Sequence, residues 1–432
     1  MARVMKDSGI SWLGEIPCSW ELIRTKHRYS NHKEIAGDKA DDYERLALTL
    51  RGVIKRPKDD SIGLQPEAFN GYQILRKNEL VFKLIDLANV STSRVGYSPY
   101  VGLVSPAYII LTPRQEFESK YGVYYFLSMW QREIFNHLGD DGVRSSLNAS
   151  DLLNVPYLSV PEIEQRRIVD FLDNECVRID AIIEQTRASI EEYKKLKQAV
   201  ITQAVTKGIR PNRPMKDSGI EWIGEIPAEW QVCKLRHIGS TQNGISKGGE
   251  FFGEGYPFVS YGDVYRNISL PNEVSGLVRS TTEEQELYSV LKGDIFFTRT
   301  SETIEEVGFS SVCLETIPKA TFAGFLIRVR PYDDALDIGY SKYYFRSSHH
   351  RFYLVKQMNL VTRASLSQPL LKGLPVLVPE RDEQREIAEF LDTECKRYDD
   401  LIIKKERVIA ELESYKKSLI YEYVTGKKEV PV

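Results

Sequence analysis

PEIEQRRIVDFLDNECVRIDAIIEQTRASIEEYKKLKQAVITQAVTK, running from Pro161 to Lys207, has a near-copy from Pro379 to Lys427: PERDEQREIAEFLDTECKRYDDLIIKKERVIAELESYKKSLIYEYVTGK. Glu164-Gln165-Arg166 matches Glu383-Gln384-Arg385, and Phe171-Leu172-Asp173 matches Phe390-Leu391-Asp392, both 219 positions apart. In the second copy Leu391, Cys395, Tyr398, Ile402, Ile409, Leu412, Leu419 and Tyr423 recur at steps of three and four, apart from breaks at Lys405 and Lys416. Leu172, Cys176, Ile179, Ile183, Ile190, Tyr193, Val200 and Ala204 do the same in the first. A narrow apolar seam kept up this far, with charges on the other faces, predicts a long helix of coiled-coil type. Acidic residues after each Pro-Glu start suit the positive end of the helix dipole. About 45 helical residues extend roughly 68 Å. Neither helix can bury its seam alone, so the two are expected to pack on each other. The pattern leaves parallel and antiparallel pairing both open.

A second repeat precedes each helix. MKDSGISWLGEIPCSW (Met5–Trp20) returns as MKDSGIEWIGEIPAEW (Met215–Trp230), with twelve of sixteen positions identical. Its Gly, Pro and paired Trp read as a structural plug, a short helix or turn and then a kink into a strand, with the tryptophans anchored in a core. The order plug, region, helix, plug, region, helix is an internal duplication, for which a near-twofold molecule is the simplest form. KGIRPNRP (Lys207–Pro214) reads as a linker. If the duplication closes on itself, the C-terminal tail lies near the first plug as the linker lies near the second.

The regions 21–160 and 231–378 lack helical periodicity and are rich in Tyr, Phe, Val, Ile and Gly, which predicts mixed, strand-rich domains. Short helices are expected at Tyr121–His137 and Tyr340–Gln357. Fixed points survive between the two regions: NELVF (Asn78–Phe82) with GDIFF (Gly293–Phe297), and VRSSLNASDLLNVP (Val143–Pro156) with TRASLSQPLLKGLP (Thr362–Pro375). The expected fold class is therefore α+β, two related mixed α/β domains separated by paired long helices. The domains are 1–20 plug, 21–160 first domain, 161–207 helix, 208–230 linker and plug, 231–378 second domain, and 379–432 helix and tail.

The 432 residues carry a net charge of −3, which argues against a nonspecific polyanion binder unless a basic face is segregated. No apolar run suffices to span a membrane. No secretory signal pattern is visible, and the five scattered cysteines fit a reducing cytoplasm better than a zinc site. No cofactor loop is recognisable: the glycine-rich NGISKGGEFFGEG (Asn243–Gly255) lacks the GK[ST] ending of a phosphate loop. Asn154-Val155-Pro156-Tyr157 reads as a strand entry. His349-His350 is expected on a polar helix face.

The doubled GEIPxxW plugs, the two RxSL…P segments and the helices opening EQRxIxxFLD resemble the specificity subunits of type I restriction-modification systems over essentially the whole chain. The resemblance implies two target-recognition domains, each reading half of a bipartite double-stranded DNA sequence, with the helices as spacer. It implies no catalysis by this chain, assembly with two methyltransferase subunits, and restriction subunits in the full complex. One departure is the first helix ending, VTKG where the second has VTGK. A symmetric coiled-coil scaffold binding proteins alone is the competing expectation, and a nuclease or methyltransferase is a third.

Between the fixed points of each domain lies a loop of different length and chemistry, KLIDLANVSTSR (Lys83–Arg94) in one and TRTSETIEE (Thr298–Glu306) in the other. Lys83, Asn89, Ser91, Thr92 and Arg94, and Arg299, Thr300, Ser301 and Glu302, are side chains of the kind that read base edges. A solvated turn is the plain alternative. Arg51, Lys55, Arg56 and Lys58 form a basic cluster suited to phosphate contacts, as does Lys247. Arg144 and Arg363 are expected to serve the fold. Gln165, Arg166, Gln384 and Arg385 are expected on a partner-binding flank, although helix-start chemistry explains them too.

Overall fold

The computed structural model describes residues 3–60, 67–85, 87, 93–115, 117–138, 146–301, 307–332, 335–357 and 364–431. Each apolar repeat forms one helix, Glu162–Lys207 of 46 residues and Arg381–Val424 of 44. The chain divides within these helices into two compact units, Met1–Thr186 with Glu406–Val432, and Arg187–Lys405.

In both units the helix segments run antiparallel. In the first unit Phe171 packs on Tyr423 with ring centroids 4.4 Å apart, and Asp180 pairs with Lys416 at 2.7 Å. In the second, Tyr193 lies under the Lys405 ammonium and Lys197 pairs with Asp399 at 2.7 Å. The two lysines that interrupt the apolar pattern thus bond across the helix pair instead of filling it. Leu172, Leu391 and Leu419 are buried on the seam with Cys176 and Cys395. Full burial of one such leucine contributes about 1.5–3 kcal/mol, far more than an exposed ion pair.

The plug is a β-hairpin closed by a turn and contains no short helix. Met5–Asp7 pairs with Glu15–Pro17, and Met215–Asp217 with Glu225–Pro227. Glycines at positive φ (Gly9 and Gly14; Gly219 and Gly224) let the chain reverse between the strands. After each hairpin comes a wholly buried tryptophan whose indole N–H meets a glutamate at the start of a long helix. Trp20 donates to Glu164 at 2.8 Å and Trp230 to Glu383 at 3.0 Å. Arg3 pairs with Glu164 at 2.6 Å, and Arg213 with Glu383. The glutamate of each EQR motif therefore locks plug to helix, and Glu383 holds the Arg213 guanidinium above its ordinary pKa.

The helix ends close the same arrangement. Tyr121 donates to the Val424 carbonyl at 2.7 Å, and Tyr340 to the Val205 carbonyl at 3.4 Å. Lys427 reaches the carbonyl of Glu15 at 3.0 Å, placing the tail on the first plug as expected; Lys207 reaches that of Glu225. VTKG and VTGK thus supply the same two parts in swapped order: a lysine for the plug and a glycine (Gly208, φ 74°; Gly426, φ 70°) to end the helix.

Both units share an antiparallel four-stranded sheet. In the first its order is Tyr29–Asn31, Ile109–Pro113, Leu80–Phe82, Val95–Tyr97; in the second, Gly239–Asn243, Leu326–Pro331, Ile295–Thr298, Ser310–Val312. Helices Glu118–Gln131 and Ile338–Tyr344 follow, overlapping the expected short helices, the latter continued after a break by Ser348–Gln357. The RxSL…P segment becomes a helix cap and a strand. Asn148 caps Ala149–Asn154 and Ser367 caps Gln368–Lys372, after which Pro156–Ser159 and Pro375–Val378 pair with Glu21–Arg24 and Gln231–Lys234. The second sheets differ. The first unit has Gly52–Arg56, Arg45–Thr49, Gly102–Val104 and Gln73–Leu75, the second, among the described residues, Leu277–Val278, Phe252–Val259 and Thr321–Phe322.

His350 departs from the expected polar face. It is buried against Tyr344 and Phe345, its Nδ1 lies 3.0 Å from Ser347 Oγ, and burial pushes its pKa down to about 3. It is a neutral core residue.

Candidate nucleic-acid interface

The shared sheet presents its variable element at one place in each unit. After Leu80–Phe82 the Leu84 carbonyl accepts from Leu147 N–H at 2.9 Å, and Ile85 bridges to Ser146. After Ile295–Thr298 the Arg299 carbonyl accepts from Leu366 N–H at 2.7 Å, and Thr300–Ser301 pairs with Ala364–Ser365. The SL segment therefore braces the root of both candidate loops. Scaffold and backbone bonding are alike, while the side chains are not: Leu84 is buried core, whereas Arg299 is partly exposed. Among the described residues Arg299 makes no ion pair.

The remaining loop residues fare differently. Asn89, Ser91, Thr92 and Glu302 lie outside the described residues, as do Arg144 and Arg363. Ser301 is described only as backbone and Thr300 is partly exposed. Lys83 is partly exposed, its N–H bonded to the Arg94 carbonyl at 3.0 Å. Arg94 contradicts the expectation of a surface reader, because its side chain is wholly buried. As the last residue before the strand Val95–Tyr97, it is drawn inward with that strand.

The basic cluster on Gly52–Arg56 is electrically balanced. Lys55 pairs with Glu44 at 2.5 Å, Arg56 with Asp60 at 2.6 Å and Lys58 with Asp41 at 3.6 Å, around a cavity of about 550 Å³ that Asp42 and Asp59 also line. Glu44 raises the Lys55 pKa. Arg51 is exposed and, among the described residues, makes no ion pair, which leaves it as the cation open to a phosphate. Lys247 is committed within the fold, bonded to Glu284 at 2.6 Å and to the Arg279 carbonyl at 2.7 Å. That ammonium holds Glu284 below the usual carboxylate range.

The presumed partner flank splits in two. Gln165 is buried, donating to the Val160 carbonyl at 3.0 Å and to Glu118 at 3.3 Å. Gln384 is buried likewise, donating to the Pro379 carbonyl at 2.9 Å and accepting from Asp337 N–H at 2.7 Å. Both cap the helix start from inside, so neither can meet a partner. Arg166 and Arg385 are exposed, each beside an acidic neighbour (Glu162, Asp382).

Residues 227–414 match the family of the type I restriction modification DNA specificity domain. Over 97% of its length the chain is 22% identical to the putative type I restriction enzyme MjaX specificity subunit of Methanocaldococcus jannaschii, covering 96% of that protein. It is 21% identical to the MjaVIII specificity subunit of the same organism, over 96% of this chain and 94% of the relative. The chain is thus similar over nearly its whole length to specificity subunits of type I restriction enzymes, and its second half matches their DNA specificity domain. The fold of this chain is shared with a chain solved for complex assembly and conformational transition of the type I R-M system, at TM-score 0.70 and 14% identity, over 96% of this chain and 99% of that one. It is also shared with the HsdS subunit of Thermoanaerobacter tengcongensis, at TM-score 0.50 and 14% identity, over 96% and 98%. Among the described residues of the chain no helix is long and apolar enough to cross a membrane.

The sequence conceals one surface feature of the chain. TFAGFLIR (Thr321–Arg328) reads as a buried strand, yet Phe325 stands out of it into solvent. Gly324, marking a turn, is the sole hint.

Proposed function

We propose that this specificity subunit reads a bipartite double-stranded DNA target, residues 21–160 taking one half and residues 231–378 the other, while the two long helices set the gap. It contributes no catalysis and holds no cofactor. Methylation comes from two modification subunits and cleavage from restriction subunits, with exposed Arg166 and Arg385 on the docking flank. The observation that carries this reading is the repeated scaffold whose equivalent loop roots hold Leu84 in one unit and Arg299 in the other. A duplicated frame with unlike side chains at one bonded position suits two readers of unlike half-sites. A scaffold binding proteins alone gives no reason for that difference.

A mobility-shift assay with the modification subunits present tests the reading. A bipartite, sequence-specific shift is expected; methylation by the lone chain, or binding without sequence preference, overturns it. Arg299→Ala should relax the base preference at one position of one half-site by about 1–3 kcal/mol, the worth of a bidentate guanine contact. Methylation of duplexes varied position by position reads this, and unchanged preference removes Arg299 from the readout. Arg51→Ala should lower the slope of log affinity against log salt by about 0.9 at unchanged specificity. Lys55→Ala should leave the slope where it was, because Lys55 already faces Glu44; equal losses from both would mean the Glu44 pair opens on DNA.

A further inference from the structure

Phe325 is the most exposed aromatic side chain among the described residues, at 64%. Its place is built, not loose. Gly324 N–H donates to the Ile245 carbonyl at 2.8 Å, Leu326 N–H to the Ala323 carbonyl at 3.0 Å, and a Cβ on Gly324 would strike Ser246. The turn that carries the ring is therefore pinned on both sides, and its backbone has little freedom to lose on binding.

Its neighbour matters as much. One step beyond the last ladder pair, Thr298 with Leu326, the Arg299 N–H donates to the Phe325 carbonyl at 2.9 Å. Residues opposed in this way on antiparallel strands have Cβ atoms about 4.5–5.5 Å apart on one face. The register equates Phe297–Ile327 with Phe82–Ile109, so Arg299 and Phe325 occupy the positions of Leu84 and Ala107 in the first unit. Where one unit carries buried Leu84 beside Ala107, the other carries a guanidinium beside an exposed ring.

We infer that Arg299 and Phe325 act as a pair on adjacent base pairs of one half-site, Phe325 packing on the 5-methyl group of a thymine in the major groove. This deepens the proposed function and rests on it. Thymine is the base that presents an apolar methyl group in the major groove, and Arg suits the guanine edge alongside it. Ring and cation together distinguish a two-base step that neither reads alone. Phe325 is a specificity-determining residue in this account.

The test uses the subunit assembled with its modification subunits and the target mapped from methylated DNA. Each thymine of both half-sites is replaced in turn by uracil, which lacks only the 5-methyl. With the parent complex one replacement should weaken binding about fourfold, the worth of one buried methyl group. With Phe325→Ala that replacement should be silent, while reading of the remaining positions of the same half-site stays intact and certifies the fold of that unit. Specific binding by the parent with every uracil silent overturns the inference and leaves the proposed function standing. So does a Phe325→Ala complex that keeps the discrimination, or a target with no thymine beside a guanine. No sequence preference in the parent complex overturns both.

Discussion

A subunit lengthened by one heptad in each long helix, between Thr186 and Arg187 and between Ile409 and Ala410, is expected to keep both half-sites and prefer a gap about three base pairs longer. Inserting at these levels preserves the antiparallel pairings of Asp180 with Lys416 and Lys197 with Asp399. Seven residues add about 10.5 Å, close to three steps of 3.4 Å. Rotation does not scale the same way. Three base pairs turn the groove by roughly 100°, whereas a heptad shifts a helix face by only about 20°. The longer target should therefore be bound less tightly than the parent's own, and the original target less tightly still. Methylation mapping reads the outcome. Altered half-sites at an unaltered gap would contradict the division of labour between helices and domains.

Glu383→Ala should destabilise its unit by about 3–5 kcal/mol, the range for removing one partner of a buried ion pair. Glu383 is 2% exposed and accepts from both the Trp230 indole and Arg213, so its loss strands two donors against the core. Its counterpart Glu164 is 28% exposed at its side chain, and water can take up what Glu164→Ala releases. That variant should cost about 1.5–3 kcal/mol, as for a hydrogen bond to a charged group. Amide exchange resolved by unit is the suitable measurement, because a molecule of two units need not melt as one. Equal effects in both units would mean that burial of the glutamate does not govern the cost.

The long helices were legible because their apolar spacing repeats twice over some forty-five residues, a signal that local accidents cannot imitate. Their polarity was not, since it depends on which end meets which: Val424 at Tyr121, Val205 at Tyr340. The plug read as a buried anchor held up for Trp20 and Trp230, but its hairpin was missed because its strands are only three residues long. Charged and polar residues misled most. Gln165, Gln384, Arg94 and His350 look like surface residues by type, and each is taken inside by partners or strands distant in sequence. The cluster at Arg51 to Lys58 looks basic along the chain. In space Glu44, Asp41 and Asp60 answer it. Phe325 is the reverse case, an apolar residue that a pinned turn holds outward.

The central claim is that two unlike domains read two blocks of sequence while the helices fix what separates them. Mapping every methylated base in DNA from cells that carry this chain with its modification subunits tests it most directly. One motif of two specified blocks is expected, flanking a gap of constant length and free sequence, with a methylated base in each block. A single uninterrupted motif, or blocks separated by a variable gap, would contradict it.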